Sequence, residues 1–371
     1  LEDIGKITLL FLVSALSQFP LSLIRFIAPL YALQLGAGTV VLGLMGASYG
    51  TVYLVLASFF GRYAGRFGHG KMVAVGLFLY ALVIALYPLI RNPYYLIFIR
   101  GGEAVGMSLV WPSIEASSKI VNNMKRSLMI YTLSWSAASS AAPYAGARLM
   151  SSFWLAILIA FVLSVAGAIA SLAMPNFMPR AEKKAGSINT LTEIVLPIFA
   201  FGFNAAVISS FYPAYGKGII GVVDTGTVMT IAGAFMTVAF AVSGFISDES
   251  AKLTTVGLLL QLFFLPVFMG LTFSVQLVSI SLVFFGQGLM YFNVLLRIVS
   301  YFSENVGAKT GIFESSIGAG SVLGPLAAGI PTALALKFPW LLCFSVSLLL
   351  FVSYGIFRCN LLKKYKIRKN F

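Results

Sequence analysis

The residues of this chain best able to do chemistry lie inside long apolar runs. Gln18, Ser22, Arg25 and Pro29 follow one another at spacings of 4, 3 and 4, one face of a helix. Arg100, Glu103, Met107, Trp111 and Glu115 share an arc of about 120° on another helix. Measured along each run, Arg25 lies about 7 Å past the centre, with Glu103 about 4 Å and Arg100 about 8 Å to the same side. Glu103 is the one acid at that level. These three side chains are expected to form one charged cluster, two guanidiniums against one carboxylate, net +1. Three uses are open to it. A static ion pair would join two helices. A surplus Arg would attract a carboxylate or phosphate. A Glu103 that takes a proton when water is excluded would couple the site to a proton gradient, because pairing favours the carboxylate and desolvation the neutral acid.

A second candidate is Gly65-Arg-Phe-Gly-His-Gly70-Lys71, which fits the G-x-x-x-x-G-K core of a phosphate-cradling loop. Met72 stands where Ser or Thr would hold Mg²⁺, and no buried parallel strand precedes the segment, so the nucleotide reading fails. No His, Cys and acid cluster has metal-ligand spacing, and no nucleophile sits beside a base. The sequence therefore predicts neither an enzyme nor a cofactor or metal. Cys343 and Cys359, about 24 Å apart along one helix, cannot bridge each other.

The elements that position these residues follow from composition. Of 371 residues, 59% are hydrophobic and 10% charged, against about a quarter charged in soluble proteins. Too little polar surface remains to coat a globule in water. Apolar runs of about 20 residues suit helices crossing a ~30 Å hydrocarbon core, and the alternation of a membrane barrel is missing. The reading is an all-α integral membrane protein with twelve helices, at about 7–34, 39–60, 71–90, 94–117, 128–147, 152–174, 191–215, 225–247, 252–273, 275–300, 308–331 and 337–358. With the N-terminus inside, 19 of the 25 Lys and Arg fall in cytoplasmic segments. That bias places both termini in the cytoplasm and explains the net charge of +14 without nucleic acid. The basic tail could also touch anionic lipid. The first run is too long for a signal peptide and lacks a small-residue cleavage site.

The chain divides at the polar stretch MPNFMPRAEKKAGSINT, giving segments 1–174, a linker 175–190, 191–358 and a tail 359–371. The halves resemble each other. Pro143 and Pro325 lie 182 residues apart in similar small-residue surroundings, Gly61 and Gly244 are 183 apart, and Gly106 and Gly288 are 182 apart. Repeated halves with a site between them near mid-membrane are the architecture of secondary transporters.

The residues at this point resemble the major facilitator superfamily (MFS), closest in motifs to its drug/proton antiporters. The superfamily's loop between helices two and three usually runs G-x-L-A-D-R-x-G-R-K, and Gly61, Ala64, Arg66, Gly68 and Lys71 follow it. Leu96-x-x-x-Arg100-x-x-Glu103 is similar to the helix-four pattern L-x-x-x-R-x-x-Q, with Glu for Gln, and Ala142-Pro143-x-x-Gly146 resembles the helix-five antiporter motif, with Ala for one Gly. The resemblance implies an MFS fold of two six-helix bundles, alternating access, and a gating role for Gly61, Arg66, Gly68, Pro143 and Pro325. The loop's usual acid is Gly65 here, while the repeat keeps a carboxylate at Asp248, a further gate candidate. It also implies that helices one, four, seven and ten line the cavity. Asn204, Tyr212 and Tyr215 of helix seven and Gln287 and Tyr291 of helix ten would then join Phe26 and Trp111 in a mostly apolar pocket.

Other polar residues have plainer readings. Arg297 is expected to snorkel to cytoplasmic water, His69 to be solvated, Thr190 and Glu193 to form a capping box, and Glu314 to favour the start of helix eleven. Gly46-x-x-x-Gly50 and Gly320-x-x-x-Gly324 predict close, sliding helix contacts. The combined expectation is a monomeric plasma-membrane transporter of a small molecule, exporting it by proton exchange. Organic-anion transport on Arg25 and Arg100 is one alternative and lipid flipping by the same fold another.

Overall fold

The computed structural model describes residues 2–117, 124–174, 194–246, 250–270, 272–301, 306–331 and 334–369. In chain order the helices are α1 (Glu2–Gln34), α2 (Thr39–Phe67), α3 (His69–Ile84), α4 (Tyr95–Ser117), α5 (Met124–Leu149), α6 (Phe153–Ser171) and α7 (Leu196–Ile220). They continue with α8 (Val222–Phe245), α9 (Ser250–Leu260), α10 (Phe264–Met269), α11 (Phe273–Tyr301), α12 (Val306–Ala328) and α13 (Phe338–Lys369). Among the described residues, nine stretches are long and apolar enough to cross a bilayer, and one of them, Leu128–Ser171, runs through both α5 and α6. Two helices fall outside that set. Arg100, Glu103 and Glu115 lower the hydropathy of α4, and Gly and Ser that of α12. The two helices outside that set are the ones that carry the buried acids Glu103 and Glu314. The outer surface is apolar, with Phe98, Trp154, Ile169, Phe245 and Leu349 all largely exposed, as lipid-facing side chains should be.

Several boundaries differ from the sequence reading. The segment 61–67 is not a loop: α2 continues through Phe67, and Gly68 alone separates it from α3. Gly68 has φ +89°, a left-handed conformation that a side chain would strain, so the reversal fits in one residue. Gly221, at φ +87°, makes the same one-residue turn between α7 and α8 and carries Lys217 into α7. The ninth span is broken. Pro266 lacks the N–H that would bond the carbonyl of Leu262, and the chain tightens to a 3₁₀ turn over Gln261–Phe263 between α9 and α10. A 3₁₀ turn at Tyr87–Leu89, with Pro88 inside, follows α3. The basic tail continues α13 to Lys369. The linker 175–190, Thr190, Glu193 and Asp248 lie outside the described residues.

Helices α1–α6 pack mainly on one another, as do α7–α13, and the two groups meet along α2·α12 and α5·α8. Glycines permit both seams. A methyl at Gly43 would stand 2.6 Å from the Pro325 carbonyl oxygen, and one at Gly50 2.5 Å from that of Ser321. On the other seam a methyl at Gly226 would stand 2.8 Å from the Pro143 carbonyl oxygen, and one at Gly233 2.8 Å from Ser140 Cα. Gly43 and Gly226 are 183 residues apart, as are Gly50 and Gly233, so the seams use equivalent positions of the repeat. Pro143 and Pro325 thus sit on the seams between the groups. Gly320 and Gly324 instead let α12 approach Phe203 of α7 within its own group.

Candidate functional site

Arg25, on α1, and Arg100, on α4, converge on one aromatic ring of α2. Their guanidinium carbons lie 5.1 Å and 4.9 Å from the centroid of Tyr49, within cation–π range. Arg100 pairs with Glu103 one turn along α4, and Tyr87 donates to the other oxygen of that carboxylate at 2.6 Å. Glu103 has no exposure at all, which suits a carboxylate held by a guanidinium and a hydroxyl. Arg25 is half-buried, and among the described residues it makes no ion pair. It faces a crevice lined also by Pro29, Met45, Gly46, Arg100 and, from α7, Ser209 and Ser210. The crevice is about the size of one water and lies where the two groups of helices meet. Arg25 and Arg100 thus meet over Tyr49, which the sequence did not single out, and of the two only Arg100 pairs with Glu103.

Deeper toward the face where α1 begins, hereafter the terminal face, a second polar cluster spans both groups. Glu115 of α4 accepts from Tyr131 of α5 at 3.1 Å and from Tyr291 of α11 at 2.9 Å. Glu314 of α12 accepts from Tyr53 of α2 at 3.0 Å. Tyr53 and Tyr291 thus each reach a carboxylate across the boundary between the two groups. Tyr291 is also the hub of an aromatic cluster, its ring centroid 5.2–6.0 Å from those of Phe201, Phe313, Trp135 and Phe240. Tyr49 and Tyr53, four residues apart on α2, stack with centroids 6.1 Å apart and connect the two clusters.

Two bundles meeting over a polar centre invite comparison with known carriers. Residues 10–305 match the family model described as Major Facilitator Superfamily. The chain belongs to the major facilitator superfamily. No curated protein matches the sequence. Among solved structures, a POT family transporter in complex with 5-aminolevulinic acid superposes with TM-score 0.77 at 11% identity, over 95% of each chain. The human organic anion transporter MFSD10 (TETRAN) gives 0.72 at 15%, over 95% of this chain and 99% of that one. The nucleoside transporter NupG gives 0.69 at 13%, over 95% and 98%. Identities this low carry the fold alone. Members of the superfamily are secondary transporters of small molecules and not enzymes, and this chain is one, a multi-pass protein of the membrane.

Against the superfamily's alternating architecture, the other sequence candidates fall into place. Gln18 donates to Ser22 at 2.9 Å, and Ser22 meets Ser139 of α5 at 2.9 Å, so Gln18 braces α1 against α5. Trp111 is half-buried against the core. Gln287 is buried with its Nε2 unpartnered. Asn204 does not join Tyr291: it donates to Gln261 at 3.1 Å and Ser347 at 2.9 Å, turned inward within its own group. Tyr212 and Tyr215 likewise turn to Gln276 and the Val267 carbonyl. The expected shared pocket of α7 aromatics is therefore not assembled. Phe26 is filled in against Gly146 instead. Arg297 does not snorkel; it is buried and donates to Thr254 of α9 at 3.2 Å. His69 is buried, not solvated. Of the expected gate residues Gly61, Arg66 and Gly68, the backbone of the first two is helical and Gly68 makes the turn.

The Glu115–Glu314 cluster is the site that sequence reasoning misses. Spacing puts Glu115 on the functional face of its helix, but a place near a helix start is a sufficient explanation for Glu314. One signal is available. Tyr53 and Tyr291 are hydroxyl donors inside apolar runs, and a buried hydroxyl needs a partner.

Proposed function

We propose that this protein carries a small organic anion across the plasma membrane by alternating access, seating it on Arg25 and Arg100 and exporting it in exchange for protons. The carrying observation is Arg25: a half-buried guanidinium, unpaired among the described residues, facing a crevice between the two groups of helices. A cation held at that depth is expensive without a counter-charge, and Glu103 is already engaged by Arg100 and Tyr87. Glu103 fixes Arg100, and a cargo carboxylate or phosphate completes the charge balance at Arg25.

The reading includes twelve spans in two six-helix halves, 1–174 and 191–358, joined by the 175–190 linker, with both termini and the 359–371 tail cytoplasmic. The repeated seam positions and the bias of Lys and Arg support it. Export is supported by the Pro143 motif, which lies on the α5·α8 seam. Sending an anion out and a proton in moves two charges favourably, each worth about 2.3 kcal/mol per 100 mV. One fold relative is described as an organic anion transporter; the guanidinium pair, rather than that likeness, carries the substrate class.

The test is reconstitution in liposomes with a panel of small carboxylates, organic phosphates, organic cations, neutral nucleosides and a labelled anionic lipid, with and without a pH gradient. An anion should move, faster with the gradient. Arg25→Gln should lower that flux by about tenfold or more, the loss of one charge-assisted contact. Movement of only cations or lipid, untouched by Arg25→Gln, would overturn the reading.

A further inference from the structure

Charge at the crevice beside Arg25 can be counted. Arg25 and Arg100 each bring one positive charge and Glu103 one negative, while Tyr49 and Tyr87, the other polar members of the cluster, are neutral phenols at neutral pH. The sum is +1. Both guanidinium carbons lie close to one ring, at 5.1 Å and 4.9 Å from its centroid, so one small anion is within the field of both. The remaining walls carry no charge: Pro29, Leu42 and Met45 are buried and apolar, and Ser209 and Ser210 of α7 are neutral hydroxyls. Glu103 has no exposure and Arg100 has 6%, so neither water nor salt screens their charges as they would at a surface. An imbalance left in such a place is costly.

We infer that Glu103 sets the valence of the cargo: the carrier takes small organic monoanions, with a carboxylate or sulfonate head on Arg25, and rejects dianions such as a phosphate monoester. This rests on the anion reading above and narrows it. To be moved, a cargo must be closed in between the two groups of helices, where the crevice now has room for about one water. A monoanion brings the sum at the site from +1 to zero. A dianion brings it to −1 and leaves a negative charge enclosed by apolar walls and a buried carboxylate. Discrimination thus comes from the charge left unpaired in the wrong complex, a more effective filter than one extra contact in the right one. A planar carboxylate also matches the fork of the Arg25 guanidinium, which can hold both of its oxygens. Were Glu103 neutral, the sum would be +2 and a dianion would become the balanced cargo. Glu103 is therefore a specificity-determining residue that acts without touching the cargo, through its charge and its grip on Arg100.

The experiment uses labelled butyrate, propanesulfonate and propyl phosphate, which share a propyl body and differ in the head. Fluxes are measured in liposomes with equal pH on both sides, corrected for protein-free liposomes and expressed relative to propanesulfonate, a monoanion throughout. The second proton of a phosphate monoester leaves near a pKa of about 6, so propyl phosphate is a dianion at about pH 8 and a monoanion at about pH 4.5. At the higher pH it should move at about one tenth of the sulfonate rate or less, with butyrate close to the sulfonate; at the lower pH it should approach the sulfonate. Glu103→Gln should reverse the order at the higher pH, phosphate ahead of sulfonate. Arg100→Gln combined with Glu103→Gln removes both members of the pair, returns the sum to +1 and should restore the wild-type order whatever its absolute rate. The wild-type pH comparison and this double variant decide the matter even if the single variant fails to fold. A merely structural role for Glu103 would lower all fluxes together and leave their ratios unchanged, which would overturn the proposal. So would a dianion carried as fast as the sulfonate by the wild type, or movement of none of the probes. In each of these cases the broader anion reading stands if another anion of the panel still moves in an Arg25-dependent way, and falls if none does.

Discussion

At the scale of single residues, the division of labour between the acids follows from who satisfies them. Glu103 is enclosed by Arg100 and Tyr87 inside one group of helices, whereas Glu314 accepts from Tyr53 across the boundary and Glu115 from Tyr291 across it as well as from Tyr131 within its own group. Removing the Tyr87 hydroxyl should therefore act on stability. Tyr87→Phe leaves one oxygen of a buried carboxylate without its donor, a loss of about 1–3 kcal/mol, visible as a lower unfolding midpoint in detergent at unchanged cargo preference. A variant as stable as wild type would mean that water reaches Glu103. The Arg25, Arg100 and Glu103 cluster was legible in the sequence because local rules reach it: charges in apolar runs, helical spacing and depth along antiparallel helices. The partners of Glu115 and Glu314 were not legible in the same way. Their meeting depends on how α4 and α12, nearly two hundred residues apart, cross α2, and no spacing rule encodes a crossing.

Helices and their seams obey a different logic. Glycines at two kinds of contact look alike in sequence, yet one kind joins helices of one group and the other joins helices of different groups, which on the alternating-access reading would part. Gly202 packs α7 on α12 within one group, where an added methyl would stand 2.8 Å from Ile317 Cα. Gly226 packs α8 on α5 across the boundary, where it would stand 2.5 Å from Ala147 Cβ. Overpacking a fixed contact destabilises by about 1–3 kcal/mol, so Gly202→Ala should lower the unfolding midpoint. Gly226→Ala should instead favour the state in which that seam is open. Labelling of Ser140→Cys, buried opposite Gly233, by a membrane-impermeant maleimide should then accelerate while the midpoint barely moves. Equal destabilisation by both, with no faster labelling, would make the seam a permanent joint. The elements themselves were largely readable, since apolar length and glycine punctuation mark them. Their ends were not, because Gly68 and Gly221 turn the chain in one residue where composition suggested loops.

For the whole molecule, the alternating-access reading would make a rocking device of these repeated contacts. Two seams, α2·α12 and α5·α8, run along the boundary, and on α5·α8 the close contacts extend from Gly226 near the distal face to Gly244 near the terminal face. If the groups rock about an axis near mid-membrane, the ends of a seam separate and its middle does not. The structure supplies both positions for a cross-link. An ideal Cβ at Gly244 stands 3.6 Å from Met129 Cβ near the terminal face, inside the range of disulfide geometry. Midway along, Thr237 donates to Ser136 at 2.9 Å. In a Cys359→Ser background, oxidising Met129→Cys with Gly244→Cys should stop transport of the anion selected by the liposome panel, and a reductant should restore it. Oxidising Ser136→Cys with Thr237→Cys should leave most of the flux, since a pivot can be pinned without being blocked. Equal inhibition by both bonds would replace rocking with separation of the groups along their full length. In that case the crevice beside Arg25, which lies between the groups, would open to both faces at once, and cargo could not be exchanged against a gradient without leaking.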